Sequence, residues 1–200
     1  MDTPRDTKQP VRHILVVCTA NICRSPMGEA LLRHSVQPIR DQIRVSSAGV
    51  RAREFNLSVD AVAVQMMAER SFDLRNHSPR QVNRDLTASA DLIVTMTRQD
   101  LREVVVIDRD SFPRVFTWMS VLRRSVLGQF VPSWEGWLTA LNDGRTTRDL
   151  IADDIADDIA DPFGMEQSKY ETCVEQLVHA STSLSQVLQY LLAPRLPQSP

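Results

Sequence analysis

Apolar residues along this chain gather into short unbroken runs, and the segments between those runs have helical spacing. The first run, Arg12 to Cys18 (RHILVVC), is β-branched and continuous, as expected of a strand covered on both faces of a parallel sheet. Asn21 to Ser25 breaks it. From Pro26 onward, Met27, Ala30, Leu31 and His34 share one helical face, and proline suits a first turn whose N–H would be unpaired anyway. Ile43 to Ser47 reads as a second strand, and Val59 to Glu69 as a helix capped by Ser58. Asp91 to Met96 (DLIVTM) reads as a third strand, Thr97 to Val105 as a helix, and Arg114 to Thr117 as a short fourth strand. Strands alternating with helices predict an α/β fold: a central parallel sheet of about four strands with helices on both faces. Ligands in such sheets sit beyond the carboxyl ends of the strands, which is where Cys18 falls.

The second half is read as helical over Trp118–Leu127, Ser133–Leu141 and Thr147–Ala160, punctuated by Gly128, Pro132 and Gly144. Glu166 to Leu192 forms a long amphipathic pattern with Val174, Leu177, Val178, Leu184, Val187 and Leu191 on its apolar face. The IADD-IADD-IAD repeat at 151–161 is too short for a solenoid, and its Asp153, Asp154, Asp157 and Asp158 are read as solvated. Residues 1–10 and the Pro-rich 193–200 are expected to be disordered tails, leaving 11–192 as one domain.

Composition narrows the function classes. The chain has 200 residues, 42% hydrophobic and 24% charged, with a net charge of −2, so neither nucleic acid nor a membrane is an expected partner. No apolar run approaches the ~20 residues of a membrane helix, and the polar start does not resemble a signal peptide, so a cytoplasmic location is expected. The three cysteines are Cys18, Cys23 and Cys173, an odd and low count for a disulfide framework. Their spacing suits neither a redox pair nor a zinc site, and no metal or cofactor is expected.

The chemistry concentrates in Cys18-Thr19-Ala20-Asn21-Ile22-Cys23-Arg24-Ser25, a C-x5-R-S loop between a strand and a helix. Five residues between Cys and Arg can curl into a cup of inward N–H groups, with the positive end of a helix behind it, able to hold a phosphate dianion. The fork of Arg24 can grip two phosphate oxygens, a geometry lysine cannot reproduce. The same surroundings are expected to lower the thiol pKa of Cys18 from ~8.5 toward ~3.5–7.5, with Ser25 donating to the thiolate. The bland alternative, a buried strand-end cysteine beside a surface arginine, fits the strand, loop, Arg-Ser-Pro and helix context poorly.

The stretch VVCTANICRSPMGEA closely resembles the active-site loop of the low-molecular-weight protein-tyrosine phosphatases. The likeness continues through Ser46-Ser47-Ala48-Gly49, His77-Ser78-Pro79-Arg80-Gln81, DLIVTMTRQD and Asp161-Pro162-Phe163. It implies Cys18 as nucleophile, Arg24 as phosphate clamp, Asp161 as general acid and base, and a phosphocysteine intermediate. It also implies that Thr19, Ala20, Asn21, Ile22, Cys23 and Ser25 surround the substrate, and that Asn21, Ser25, Ser47 and His77 support the loop. Cys23 corresponds to the family's second loop cysteine, able to form a protective disulfide with Cys18. The implied partner is a phosphotyrosine protein, for bacterial members often a tyrosine kinase.

Two positions depart from the family. Ala20 stands where glycine is common, a strain of ~1 kcal/mol or more if φ there is positive. Arg53 falls where many members carry an aromatic wall of the substrate pocket, a role that Phe163 and Phe55 can supply instead. An arsenate reductase of the same fold and a non-catalytic phosphate-binding module are the competing readings.

Overall fold

The computed structural model describes residues 10–127, 133–151 and 155–193. In chain order the elements are β1 (Arg12–Cys18), α1 (Arg24–Ser35), β2 (Ile43–Gly49), α2 (Ala52–Phe55), α3 (Ala61–Ala68), α4 (Arg84–Ala88), β3 (Leu92–Thr95), α5 (Arg98–Ile107), β4 (Val115–Thr117), α6 (Trp118–Leu127), α7 (Trp134–Asn142) and α8 (Gln167–Leu192). The four strands form one all-parallel sheet in the order β2-β1-β3-β4. The tails expected at 1–10 and 193–200 fall almost wholly outside the described residues.

Strand alternation divides the core in two. Ile14 and Val16 face a layer made by α1, α3, α6, α7 and α8, while Leu15 and Val17 face Leu101 and Val104 of α5. All four of these β1 side chains are fully buried, each stabilising the fold by about 1.5–3 kcal/mol. The continuous apolar run that marks β1 in the sequence is thus a strand with no solvent face.

Helix starts follow side-chain capping. Asp60, rather than Ser58, accepts the Ala63 N–H and starts α3; Thr97 and Ser133 cap α5 and α7. The expected helix over Thr147–Ala160 does not form. Its described residues make two 3₁₀ turns, Thr147–Leu150 and Ile155–Asp157, and Asp157 is 1% exposed instead of solvated. The helix expected over Ser133–Leu141 forms as α7, with Trp134 and Trp137 buried edge to face and Arg12 lying over the Trp134 ring.

Candidate active site

β1 ends at Cys18, and the chain turns at once into α1, whose first residue is Arg24. Between them the loop wraps with its carbonyls turned outward. Those of Cys18 and Thr19 accept the N–H groups of Val50 and Arg51, that of Ile22 accepts Asp60 N–H, and that of Asn21 accepts His77 Nε2 at 2.9 Å. A trans peptide points its N–H opposite its carbonyl, so the outward carbonyls aim the N–H groups of Thr19, Ala20, Ile22 and Cys23 inward. The result is a cup lined with donors at the start of a helix.

The strained position is Asn21, with φ 59°; Ala20 does not have positive φ and carries no such penalty. Side-chain bonds hold Asn21 in place. Its Nδ2 donates to Ser25 Oγ (2.8 Å) and Ser47 Oγ (2.9 Å), and its Oδ1 accepts Arg80 N–H (3.0 Å). Ser47 in turn donates to Glu29, and Arg80 Nε donates to the Ser47 carbonyl. Gly49, paired in register with Cys18, completes the seat: a Cβ there would lie 2.8 Å from backbone atoms of Thr19, Ala20 and Asn21.

Cys18 Sγ lies under the loop, 3.0 Å from Ser25 Oγ and 3.2 Å from Asn21 N–H. Burial pushes its thiol up, against the downward pull of Arg24 and Ser25, with Asp100 adding to the rise. The expected lowering is therefore outweighed in this closed environment. Arg24, itself buried, donates to the Ile159 carbonyl (3.2 Å), Thr19 Oγ1 (3.2 Å) and Asp161 Oδ2 (2.5 Å).

A cavity of about 60 Å³ opens over the sulfur, lined by Cys18, Thr19, Ala20, Ile22, Cys23, Arg24, Phe55, Asp161 and Phe163. Asn21 and Ser25 lie beneath it rather than in its wall, in the positions of loop supports. Arg53 is a correction: it is exposed on α2 and does not line the cavity, whereas Phe55, half a turn further on, does. A larger cavity of about 580 Å³ lies at the opposite end of the sheet, where the strands begin, between Arg12, Asp91, Arg114 and α7, far from the thiol.

One site residue was not singled out in the sequence. Asp100 is 1% exposed, accepts the hydroxyls of Thr19 (3.0 Å) and Thr97 (2.8 Å), and through Thr19 reaches Arg24. Burial raises its pKa, while Arg24 and the two hydroxyls pull it down. Thr97 followed by Asp100 signals a helix start, but nothing local shows that the carboxylate also reaches across to the cup.

The sequence model of the low molecular weight phosphotyrosine protein phosphatases matches residues 13–126. The chain belongs to this family. Among curated relatives, the probable low molecular weight protein-tyrosine-phosphatase EpsP of Ralstonia nicotianae is 39% identical over 94 residues, 47% of this chain and 61% of that protein. Wzb of Escherichia coli K12 is 38% identical over 92 residues, 46% of this chain and 59% of that one. The aligned stretch thus spans about three fifths of these relatives' length. A Bacillus subtilis YwlE mutant structure superposes with a TM-score of 0.66 at 27% identity, covering 89% of this chain and 99% of the other. Vibrio vulnificus Wzb bound to benzylphosphonate has a TM-score of 0.65 at 22% identity, covering 88% and 98%, a likeness of fold.

Proposed function

We propose that the protein hydrolyses phosphotyrosine in proteins through a phosphocysteine intermediate. The observation that carries this reading is the convergence of Cys18, Arg24 and Asp161 on one small cavity beside inward peptide N–H groups. In the first step Cys18 sulfur attacks phosphorus while Arg24 and the N–H groups hold the non-bridging oxygens. The phosphorus–oxygen bond to tyrosine breaks, and Asp161 passes its proton to the departing phenolic oxygen. In the second step Asp161 takes a proton from water, which displaces the phosphoryl group from sulfur and restores the thiolate. A dianion entering the cup competes with Asp161 for the Arg24 fork, which turns the carboxyl toward the leaving oxygen.

Phe55 and Phe163, each about half exposed at the cavity mouth, suit a flat aryl group. The Cys173 thiol, pushed up to about 12 by burial in α8, is a poor relay thiol, which disfavours arsenate reduction. The reading also places the protein in the cytoplasm, where cysteines remain reduced; all three here are free thiols. Among the described residues no helix is long and apolar enough to cross a membrane.

The test is metal-free turnover, with EDTA and a reductant, of p-nitrophenyl phosphate, a phosphotyrosine peptide and a phosphoarginine peptide. Cys18→Ser abolishes turnover. Asp161→Asn lowers kcat/KM on phosphotyrosine by ~10²-fold or more, the contribution expected of a general acid. Preference for phosphoarginine would overturn the substrate assignment, and absence of turnover by the reduced wild type would overturn the phosphatase reading.

A further inference from the structure

Asp161 stands on a segment without regular structure, yet its carboxyl must hold a fixed place over the cup. The residues just before it are unusually well anchored. Asp157, 1% exposed, accepts Arg123 Nη1 at 2.5 Å, and its other oxygen lies 3.3 Å from Arg98 Nη2. Asp158 accepts the backbone N–H of Arg98 at 2.8 Å, at the first residue of α5. Ile159, fully buried, donates its N–H to the Met96 carbonyl at 2.8 Å, and its own carbonyl accepts Arg24. Only Ala160 separates this anchored run from Asp161.

A buried carboxylate costs several kcal/mol unless paired, so Asp157, hydrogen-bonded to Arg123 and within ion-pair distance of Arg98, is constrained in position. Arg98 opens α5, and Arg123 lies in α6. Two elements that rest on the sheet therefore grip the strap that carries the carboxyl. We infer that the Arg98–Asp157–Arg123 cluster is a positioning device for Asp161, setting its reach to the leaving-group oxygen. This rests on the reading of Asp161 as general acid. Asp157 of the IADD repeat thus acts as an internal counter-charge to Arg98 and Arg123.

The discriminating quantity is kcat/KM, which covers the chemistry up to departure of the phenol, measured on aryl phosphates from p-nitrophenyl (good leaving group) to phenyl (poor). Asp157→Asn keeps the shape and removes the charge. The expected result is a loss of ~10-fold on phenyl phosphate and phosphotyrosine peptide, part of the full acid contribution, with less than ~3-fold on p-nitrophenyl phosphate. Inhibition by inorganic phosphate, which reads the cup, stays unchanged. In an Asp161→Asn background, Asp157→Asn adds no further leaving-group dependence, because the two act through one group. Arg123→Gln, at a partly exposed residue, gives the same pattern if Asp157→Asn fails to fold. An equal loss on all substrates, no loss, or weakened phosphate inhibition overturns the positioning role. If Asp161→Asn itself leaves the leaving-group dependence of the wild type, the general-acid reading falls instead.

Discussion

Ser25 Oγ receives a hydrogen bond from Asn21 Nδ2 at 2.8 Å, which occupies a lone pair and leaves its proton to Cys18 Sγ at 3.0 Å, a nearer acceptor than the Ala48 carbonyl at 3.4 Å. That bond favours the thiolate over the thiol. Removing it in Ser25→Ala raises the Cys18 pKa, since burial and Asp100 still push up while Arg24 and the backbone N–H donors remain to pull down. A hydrogen bond to a charged group is worth ~1.5–3 kcal/mol, or about one to two pH units. The rate of inactivation by iodoacetamide against pH reads this directly, with its midpoint moving up by that amount; an unmoved midpoint sinks the assignment. At this scale the sequence was informative where chemistry repeats a known spacing. Cys18, Arg24, Ser25 and Asn21 sit within one octapeptide, and Ser47 and His77 in short recognisable segments, and the structure brings them together. Asp100 was not legible, because its partner Thr19 is 81 positions away. Arg53 was misplaced by two residues: the helical turn of α2 sends Phe55 to the cavity and Arg53 to solvent.

Elements pack under tight tolerances around α1. A Cβ on Gly28 would lie 2.8 Å from the Trp118 ring and 3.4 Å from Leu177 of α8, and the Trp118 side chain is fully buried. Gly28→Ala therefore overpacks the layer on that face of the sheet, at a cost of about 1–3 kcal/mol despite alanine's better helix propensity. Thermal unfolding should show Tm lowered by roughly 3–10 °C; an unchanged or raised Tm would show that the layer yields. The sequence announced most elements because burial dictates their pattern: β1 and β3 as continuous apolar runs, α8 as a repeating apolar stripe. It misled at Thr147–Ala160. Isoleucines every four residues imitate a helix, but the described part of that segment is shaped by long-range bonds from Asp157 and Asp158 to Arg98 and Arg123, which no local pattern encodes.

Across the whole molecule, the sheet separates chemistry from support. The cup sits at the carboxyl ends of the strands, and α7 lies at their amino ends with Trp134 against Arg12. Trp134→Ala should thus destabilise by about 3–5 kcal/mol in denaturant unfolding, as for other buried tryptophans. Its kcat/KM on p-nitrophenyl phosphate should stay within ~2-fold of wild type, because Trp134 packs at the start of β1 and the cup lies at that strand's far end. A large kinetic effect would reveal communication through the sheet. The bond between Arg24 and Asp161 joins residues 137 positions apart. During synthesis at ~5–20 residues per second, the Cys18–Arg24 loop leaves the ribosome roughly 7–27 s before Asp161. A nascent chain therefore carries the cup before Asp161, and on the proposed mechanism hydrolytic competence arrives only with the C-terminal third.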